Sequence, residues 1–148
     1  MKLLLSLRKH KKLFTMANLH EKLQSQCHVW LHNEHPDTRG MAHANFNGLP
    51  LSLEGMLPVN LKIRIMSTLK AVGLVKGVLD YQFYWKGRLF SFDFKVGGDR
   101  LSKEQLEYIR VLTLNGGAGM EIRSLEQFQT EIEYILKHGC LTTEEEIM

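Results

Sequence analysis

Three charged side chains near the middle of the chain have types and a spacing that could do chemistry. Asp80 lies on one side of Lys86-Gly87, and Asp93 and Lys95 lie on the other, within a run rich in aromatic and β-favouring residues. This pattern predicts a β-hairpin over residues 79–95 with its turn at Lys86-Gly87. Because successive side chains of a strand point to opposite faces, Asp93 and Lys95 should share one face, and the neighbouring phenylalanines should take the other.

The pairing of the two arms decides whether the acidic groups meet. A two-residue turn or a four-residue loop sets Asp80 directly opposite Asp93, whereas a three-residue loop shifts the register by one. Directly opposed residues have Cβ atoms about 5 Å apart, and like charges there are destabilising. Two carboxylates at that spacing need a proton or a cation between them.

Carboxylate oxygens at this spacing predict a site for Mg²⁺, which takes one or two carboxylates and keeps several waters. The ammonium of Lys95 beside the ion could stabilise an anion or orient a water. The alternative, which the residues leave open, is an exposed hairpin whose polar face is simply solvated.

The elements that must position these side chains can be predicted from capping patterns and apolar periodicity. Asn18 and Glu21 form a capping-box pattern, which predicts a first helix over residues 18–32. A short strand is predicted over residues 41–46, followed by a loop that contains Asn47-Gly48 and Pro50. The remaining predictions are a helix that Pro58 opens and Gly73 ends, a helix over residues 102–114, a strand over residues 119–123, a helix that Ser124 caps and Gly139 ends, and a frayed C-terminal tail.

The order of these elements indicates an α/β fold with a small mixed β-sheet flanked by helices. The hairpin supplies two antiparallel strands. The last strand returns through a helix, so it should lie parallel to the second arm of the hairpin by a right-handed crossover.

Composition indicates one ordinary globular domain. The 148 residues are 44% hydrophobic and 24% charged. Cys27 and Cys140 lie far apart, which favours a reducing compartment over a disulfide framework. No apolar run approaches the roughly 20 residues of a membrane span, so we expect a cytoplasmic protein with no membrane partner.

The net charge of +3 is unevenly distributed along the chain. Five of the 19 Lys and Arg residues lie in residues 1–15, which contain no acid. We divide the chain into residues 1–16, a core domain over residues 17–139, and an acidic tail over residues 140–148. The first segment is either a basic arm that contacts phosphates or a dispensable extension.

The chain resembles the virus-type replication-repair nucleases, the VRR-NUC branch of the PD-(D/E)XK superfamily. The resemblance covers residues 19–128 and depends on an ordered set of motifs. These are the helical Glu21, the KGVLD motif that ends in Asp80, the tripeptide Asp93-Phe94-Lys95, the LSKEQ motif that contains Gln105, and the segment GGAGMEIRSLEQF. Leu79 stands where the family usually has Pro, and Asp93 stands where it commonly has Glu.

This resemblance implies a restriction-endonuclease-like core that hydrolyses phosphodiester bonds of DNA. Asp80, Asp93, the backbone carbonyl of Phe94 and Glu21 would hold Mg²⁺ or Mn²⁺. Lys95 would position or activate the attacking water, and Gln105 would reach the same site. The alternative is a non-catalytic DNA-binding or partner-binding module that keeps the nuclease fold.

A nuclease of this size also needs a surface for DNA. Small members of the family are similar in build to Holliday-junction resolvases, which implies a homodimer acting on branched or flapped DNA in a bacterial or phage-infected cell. No sequence-reading motif is visible, so phosphate contacts should dominate binding. The candidates for these contacts are Lys76, Lys86, Arg88, Arg100 and Lys103, together with the N-terminal arm.

The seven histidines raise the question of a zinc site. His20, His28, His32 and His35 lie near one another, and His28 and His32 share a helical face. The sequence contains no HExxH motif and no cysteine pair, so we do not predict zinc.

Overall fold

A computed structural model describes residues 2–45 and 55–145 of the chain, with side chains from Asn18 onward. The loop predicted around Asn47-Gly48 and Pro50, the end of the first predicted strand and residues 146–148 of the tail lie outside the described residues. The elements are helix α1 (Lys2–Glu34), a 3-10 turn (Pro36–Thr38), strand β1 (Ala42–Ala44), helix α2 (Val59–Ala71), strands β2 (Tyr81–Trp85) and β3 (Arg88–Phe94), helix α3 (Lys103–Leu114), strand β4 (Ala118–Ile122), helix α4 (Leu125–His138) and helix α5 (Thr142–Glu145).

The four strands form one mixed sheet in the order β1-β2-β3-β4. Strands β1, β2 and β3 are antiparallel neighbours, and β4 lies parallel to β3. Helix α3 connects β3 to β4, because a parallel pair needs a crossover rather than a tight turn. The predicted α/β class, mixed sheet and parallel last strand are confirmed.

Helices cover both faces of the sheet. On one face, α1 and α4 pack against each other, and Phe128 of α4 contacts Phe92 and Phe94 of β3. Helix α3 packs on the other face, where the Ile109 side chain approaches the backbone of Gly119 in β4. Ser91 and Asp93 of β3 therefore face α3, and its phenylalanines face α1 and α4.

The aromatic face of the hairpin forms the centre of the core. Phe92, Phe94 and Phe128 are fully buried, and Tyr81 is 1% exposed. In the contacting pairs their ring centroids lie 5.6–6.0 Å apart, mostly in edge-to-face arrangements. Burying one such ring contributes about 1.5–3 kcal/mol. Strand β3 is thus anchored on both sides of Asp93, which limits how far that carboxyl group can move.

The predicted start of the first helix is wrong. Helix α1 begins at Lys2, so Asn18 lies inside it and does not cap it. The Leu- and Lys-rich residues that precede Asn18 have high helix propensity and extend the helix across the capping-box pattern. Glu21 therefore lies inside the helix rather than at the third position of its first turn.

The prediction for helix α2 is correct, whereas the prediction of a frayed C-terminal tail is not. Helix α2 begins directly after Pro58 and ends before Gly73, as predicted, although none of its side chains is buried against the described part of the chain. The tail was expected to be frayed, but Thr142–Glu145 form a helical turn, and Glu131 accepts hydrogen bonds from the backbone and hydroxyl group of Thr142. Among the described residues, no helix has the length and apolar character to cross a bilayer.

Candidate metal centre

The β2–β3 hairpin brings Asp80 and Asp93 together as the sequence predicts. Lys86 and Gly87 have φ values of 46° and 85°, which is the left-handed backbone of a two-residue type I′ turn. The paired residues run from Trp85 opposite Arg88 to Tyr81 opposite Phe92. Asp80 and Asp93 are the next residues along, and their carboxyl groups are close enough for each to shift the pKa of the other.

Asp93 is fully buried, and its ionised form is disfavoured there. Burial, followed by the charge of Asp80, raises the pKa of Asp93 from 3.8 to about 6, although the Lys95 ammonium acts in the opposite direction. Near neutral pH the pair therefore carries two negative charges close together in a poorly solvated position. A shared proton or a cation would relieve this repulsion.

Asp80 has a partner that the sequence reasoning did not assign. His20 Nε2 lies 3.0 Å from Asp80 Oδ2, and the two residues are 60 positions apart in the chain. Burial alone would raise the pKa of Asp80, but the hydrogen bond from His20, together with the charges of His20 and Lys95, outweighs burial and lowers the pKa. The same hydrogen bond raises the pKa of His20, against the opposing effect of burial. Asp80 is thus the aspartate of the pair that loses its proton first as the pH rises.

Lys95 lies beside Asp93, on the side of the β-sheet that α3 covers. Its Nζ is 2.8 Å from Asp93 Oδ2 and 4.0 Å from Asp99 Oδ2, and its side chain is 10% exposed. The short contact is an ion pair, and apart from it Asp93 Oδ2 is buried without a hydrogen bond from the described residues. Buried polar atoms normally have such a partner, and the exceptions call for an explanation.

Gln105 reaches the other oxygen of Asp93 from the start of helix α3. It forms the predicted capping box with Ser102, whose backbone N–H it binds through Oε1 at 2.9 Å. Its Nε2 donates to Asp93 Oδ1 at 3.0 Å. The loop that carries the KGVLD motif packs closely here, because a Cβ added at Gly77 would lie 2.4 Å from the backbone of Glu104. Gly77 thus lets the loop before Asp80 approach the helix that carries Gln105.

Glu21 is exposed on α1 and lies beside a different feature. It lines a surface pocket of about 320 Å³ with Ser25, His28 and Tyr81 among its neighbours. The residue of α1 that contacts the aspartate pair is His20, which directly precedes it. A ligand role for Glu21 stays a prediction, as does that of the Phe94 carbonyl.

The predicted DNA-contacting residues have different surroundings. Lys76 pairs with Glu104 at 2.9 Å, and both line a groove of about 450 Å³ with Lys103. Lys86 and Arg100 are exposed. Arg88 is different, because its guanidinium group donates to the carboxylate of Glu144 and to backbone carbonyls.

The aspartate pair can be tested for its fit to a metal ion. In the part of the chain that the structure describes, no three His, Cys, Asp or Glu side chains form a ready-made metal site. Mg²⁺ does not require three, because it is commonly bound through one or two carboxylates with waters in the other positions. Two adjacent carboxyl groups, one with a raised pKa and an oxygen that lacks a directed hydrogen bond, fit such an ion.

The comparisons with known proteins add no further assignment. No protein-family model, curated protein or solved structure matches this chain. The resemblance to the VRR-NUC nucleases therefore stays a prediction from the motifs, and the site has to be argued from its own geometry.

Proposed function

We propose that this protein is a divalent-metal-dependent endonuclease that hydrolyses phosphodiester bonds of DNA. The observation that carries this proposal is the meeting of Asp80 and Asp93 at a buried end of the hairpin, with the Lys95 ammonium 2.8 Å from Asp93. Two acidic groups and a lysine in this order along a hairpin are what the resemblance implies for a nuclease of the PD-(D/E)XK type. A restriction-endonuclease-like core is part of the same proposal.

Each residue of the site has a distinct role in this reaction. Asp80 and Asp93 would hold Mg²⁺ or Mn²⁺, with the Phe94 carbonyl as an additional oxygen donor. The bound ion would lower the pKa of water and offset negative charge on the phosphate. Lys95 would hold the attacking water or an anionic phosphate oxygen, since its ammonium has three N–H donors. Gln105 keeps Asp93 oriented through Oδ1.

The DNA would lie over the surface around the start of helix α3. Exposed Arg100 and Lys103, with Lys76, would contact phosphates there without reading bases, and Lys86 would contact a phosphate farther away, at the hairpin turn. The guanidinium group of Arg88 is engaged inside the protein, so we do not assign it to this surface. A homodimer, a preference for branched or flapped DNA, and an intracellular location remain parts of the proposal that the resemblance alone supports.

The decisive experiment is a cleavage assay on linear, flapped and four-way DNA with Mg²⁺ or Mn²⁺. Wild-type protein should cut in the presence of either ion and should not cut in EDTA. Asp93→Asn and Lys95→Ala should each remove cutting, whereas Glu133→Gln should not, because Glu133 is an exposed carboxylate that pairs with His35 on the opposite face of the sheet from α3.

Three results would contradict parts of this proposal. Cutting that survives in Asp93→Asn would remove the metal centre from the reaction. Salt-sensitive DNA binding without cutting under any divalent ion would favour the non-catalytic binding module instead. If the protein sediments as a monomer at the concentrations at which it cuts DNA, the proposed homodimer would be wrong.

A further inference from the structure

The contact between His20 and Asp80 is the strongest feature of the site that the proposed reaction does not use. His20 Nε2 and Asp80 Oδ2 are 3.0 Å apart, and the two side chains are only 28% and 27% exposed. The imidazole ring also meets the ring of Phe94 edge-on, with centroids 6.4 Å apart. His20 is therefore held between the core and the carboxylate rather than extended into solvent.

The helix that carries His20 directs its neighbour elsewhere. An α-helix has 3.6 residues per turn, so consecutive side chains point about 100° apart. Since His20 points at Asp80, Glu21 is turned away from that carboxylate and faces the pocket that it shares with Ser25 and His28. Glu21, which the resemblance assigns to the metal, is thus the sequence neighbour of His20, which makes the contact with Asp80.

We propose that His20 is the positioning residue through which helix α1 completes the metal centre, by orienting the Asp80 carboxylate toward the ion. This inference rests on the proposed function. An ionised carboxylate only accepts hydrogen bonds, so the Nε2–H group of His20 donates to Oδ2. The hydrogen bond uses one side of the carboxylate and leaves its other lone pairs for the ion.

A histidine in this position leaves the coordination of the ion more open than a glutamate would. As a positioning residue it adds no third carboxylate to the site, so more of the ion's coordination positions stay open for water and phosphate oxygens. Side chains that orient metal ligands in this way typically change metal affinity by about 10–100-fold when they are mutated. The strength of ion binding is thus the property that should report the role of His20.

The experiment measures the dissociation constant of Mn²⁺ for the full-length protein. Titration calorimetry gives it directly, and the electron paramagnetic resonance signal of free Mn²⁺ gives it independently. We expect His20→Ala to weaken Mn²⁺ binding by about 10–100-fold. His20→Gln should recover most of the affinity, because its amide N–H can donate to Asp80. His28→Ala is the matched control, since His28 lies on the same helix and bonds the Tyr81 hydroxyl group at 2.7 Å.

The outcomes separate this inference from the proposed function. Unchanged Mn²⁺ affinity in His20→Ala would overturn the role of His20 alone. Loss of affinity in Glu21→Gln, with His20→Ala unaffected, would assign the helix residue to Glu21 instead. A folded His20→Gln variant that binds as poorly as His20→Ala would exclude positioning, because the hydrogen bond would then not be what matters. Wild-type protein that binds no Mn²⁺ would overturn the metal centre as a whole.

Discussion

Strand β3 carries a charged cluster at each end, and the two clusters differ in how well their polar atoms are satisfied. At its first residue, all five N–H donors of the Arg88 guanidinium group are used: two bind the Glu144 carboxylate and three bind the carbonyls of Gly116, Gly117 and Gly139. At the other end, Asp93 Oδ2 has the Lys95 ammonium 2.8 Å away but no further hydrogen bond from the described residues, and the like charge of Asp80 lies close by.

This difference is what we expect between a cluster that stabilises the fold, at Arg88, and the proposed functional site at Asp80 and Asp93. Arg88 joins three parts of the chain, and each charge in its cluster has an opposite charge or a dipole beside it. The Asp80–Asp93 pair places like charges together where they are poorly solvated, which costs stability unless a proton or cation is bound. Locally unfavourable arrangements of this kind are expected where a sequence is selected for function rather than for stability.

Breaking the satisfied cluster should have the largest effect on stability. Arg88→Ala leaves the Glu144 carboxylate and three carbonyls without their donor, so we expect a loss of about 2–4 kcal/mol in the free energy of unfolding. Urea denaturation measures this loss. Ion affinity in the folded variant should stay at the wild-type value, because Arg88 lies at the opposite end of β3.

Arg110→Ala is the control for the Arg88 prediction, since it removes an exposed ion pair with Glu107. Its midpoint of unfolding should not change measurably, because solvent screens such pairs. If Arg88→Ala were as stable as Arg110→Ala, the contrast between the two ends of the strand would fail.

Binding of an ion should relieve the strain at the other cluster and stabilise the protein. At a Mn²⁺ concentration about 100 times the dissociation constant, mass action adds about 2.7 kcal/mol to the free energy of unfolding. For a domain of this size this corresponds to a rise of roughly 5–10 °C in the melting temperature. Thermal denaturation with and without Mn²⁺ measures the rise, and Asp93→Asn should show none of it. An equal rise in both proteins would mean that Mn²⁺ binds elsewhere.

Much of the hairpin could be predicted from sequence, because its determinants are local. Alternation of side chains and the Lys86-Gly87 turn fix which residues share a face and which residues oppose each other, and Gly87 supplies the positive φ that the turn needs. The capping serines Ser102 and Ser124 and the glycines that follow α3 and α4 predict the correct helix ends for the same reason. The sequence alone therefore predicts that Asp80 and Asp93 form a pair.

The contacts that sequence could not predict are those between distant elements. His20 reaches Asp80 only because α1 is rotated so that this residue, and not Glu21, faces the end of the sheet. A rotation of about 100° around the helix axis would exchange them, and the apolar stripe of α1 does not define its phase that closely. Arg88 was assigned to DNA because its type fits phosphate, but its partners lie 28 to 56 residues away.

The pH dependence of stability tests the cost of the aspartate pair without any ion. The folded-state pKa of Asp93, about 6, lies above its unfolded value of 3.8. A raised pKa means that the protonated form is favoured on folding, so stability is complete below pH 3.8 and is lost as the pH rises through 6. Asp93→Asn removes this loss, and we expect it to stabilise the ion-free protein at pH 8 by about 1–3 kcal/mol.

The measurement for Asp93→Asn is urea denaturation in EDTA at a series of pH values from 4 to 8. The advantage of the variant should shrink as the pH falls below 6 and Asp93 in the wild-type protein takes up its proton. Asp99→Asn is the control, since Asp99 is an exposed carboxylate 4.0 Å from the same lysine. A variant less stable than wild type at pH 8 would mean that the pair is already neutralised by Lys95.

The smallest effect on stability is expected at the exposed Lys76. Its ion pair with Glu104 is screened by solvent, so Lys76→Ala should leave the urea midpoint unchanged. If Lys76 contacts a phosphate, the variant should lower the slope of log affinity against log salt by about 1, as counterion release predicts for one lost contact. Fluorescence anisotropy with four-way DNA in Ca²⁺ measures that slope. If this slope is unchanged in Lys76→Ala but lower in Lys86→Ala, the DNA contacts the hairpin turn rather than the groove beside α3.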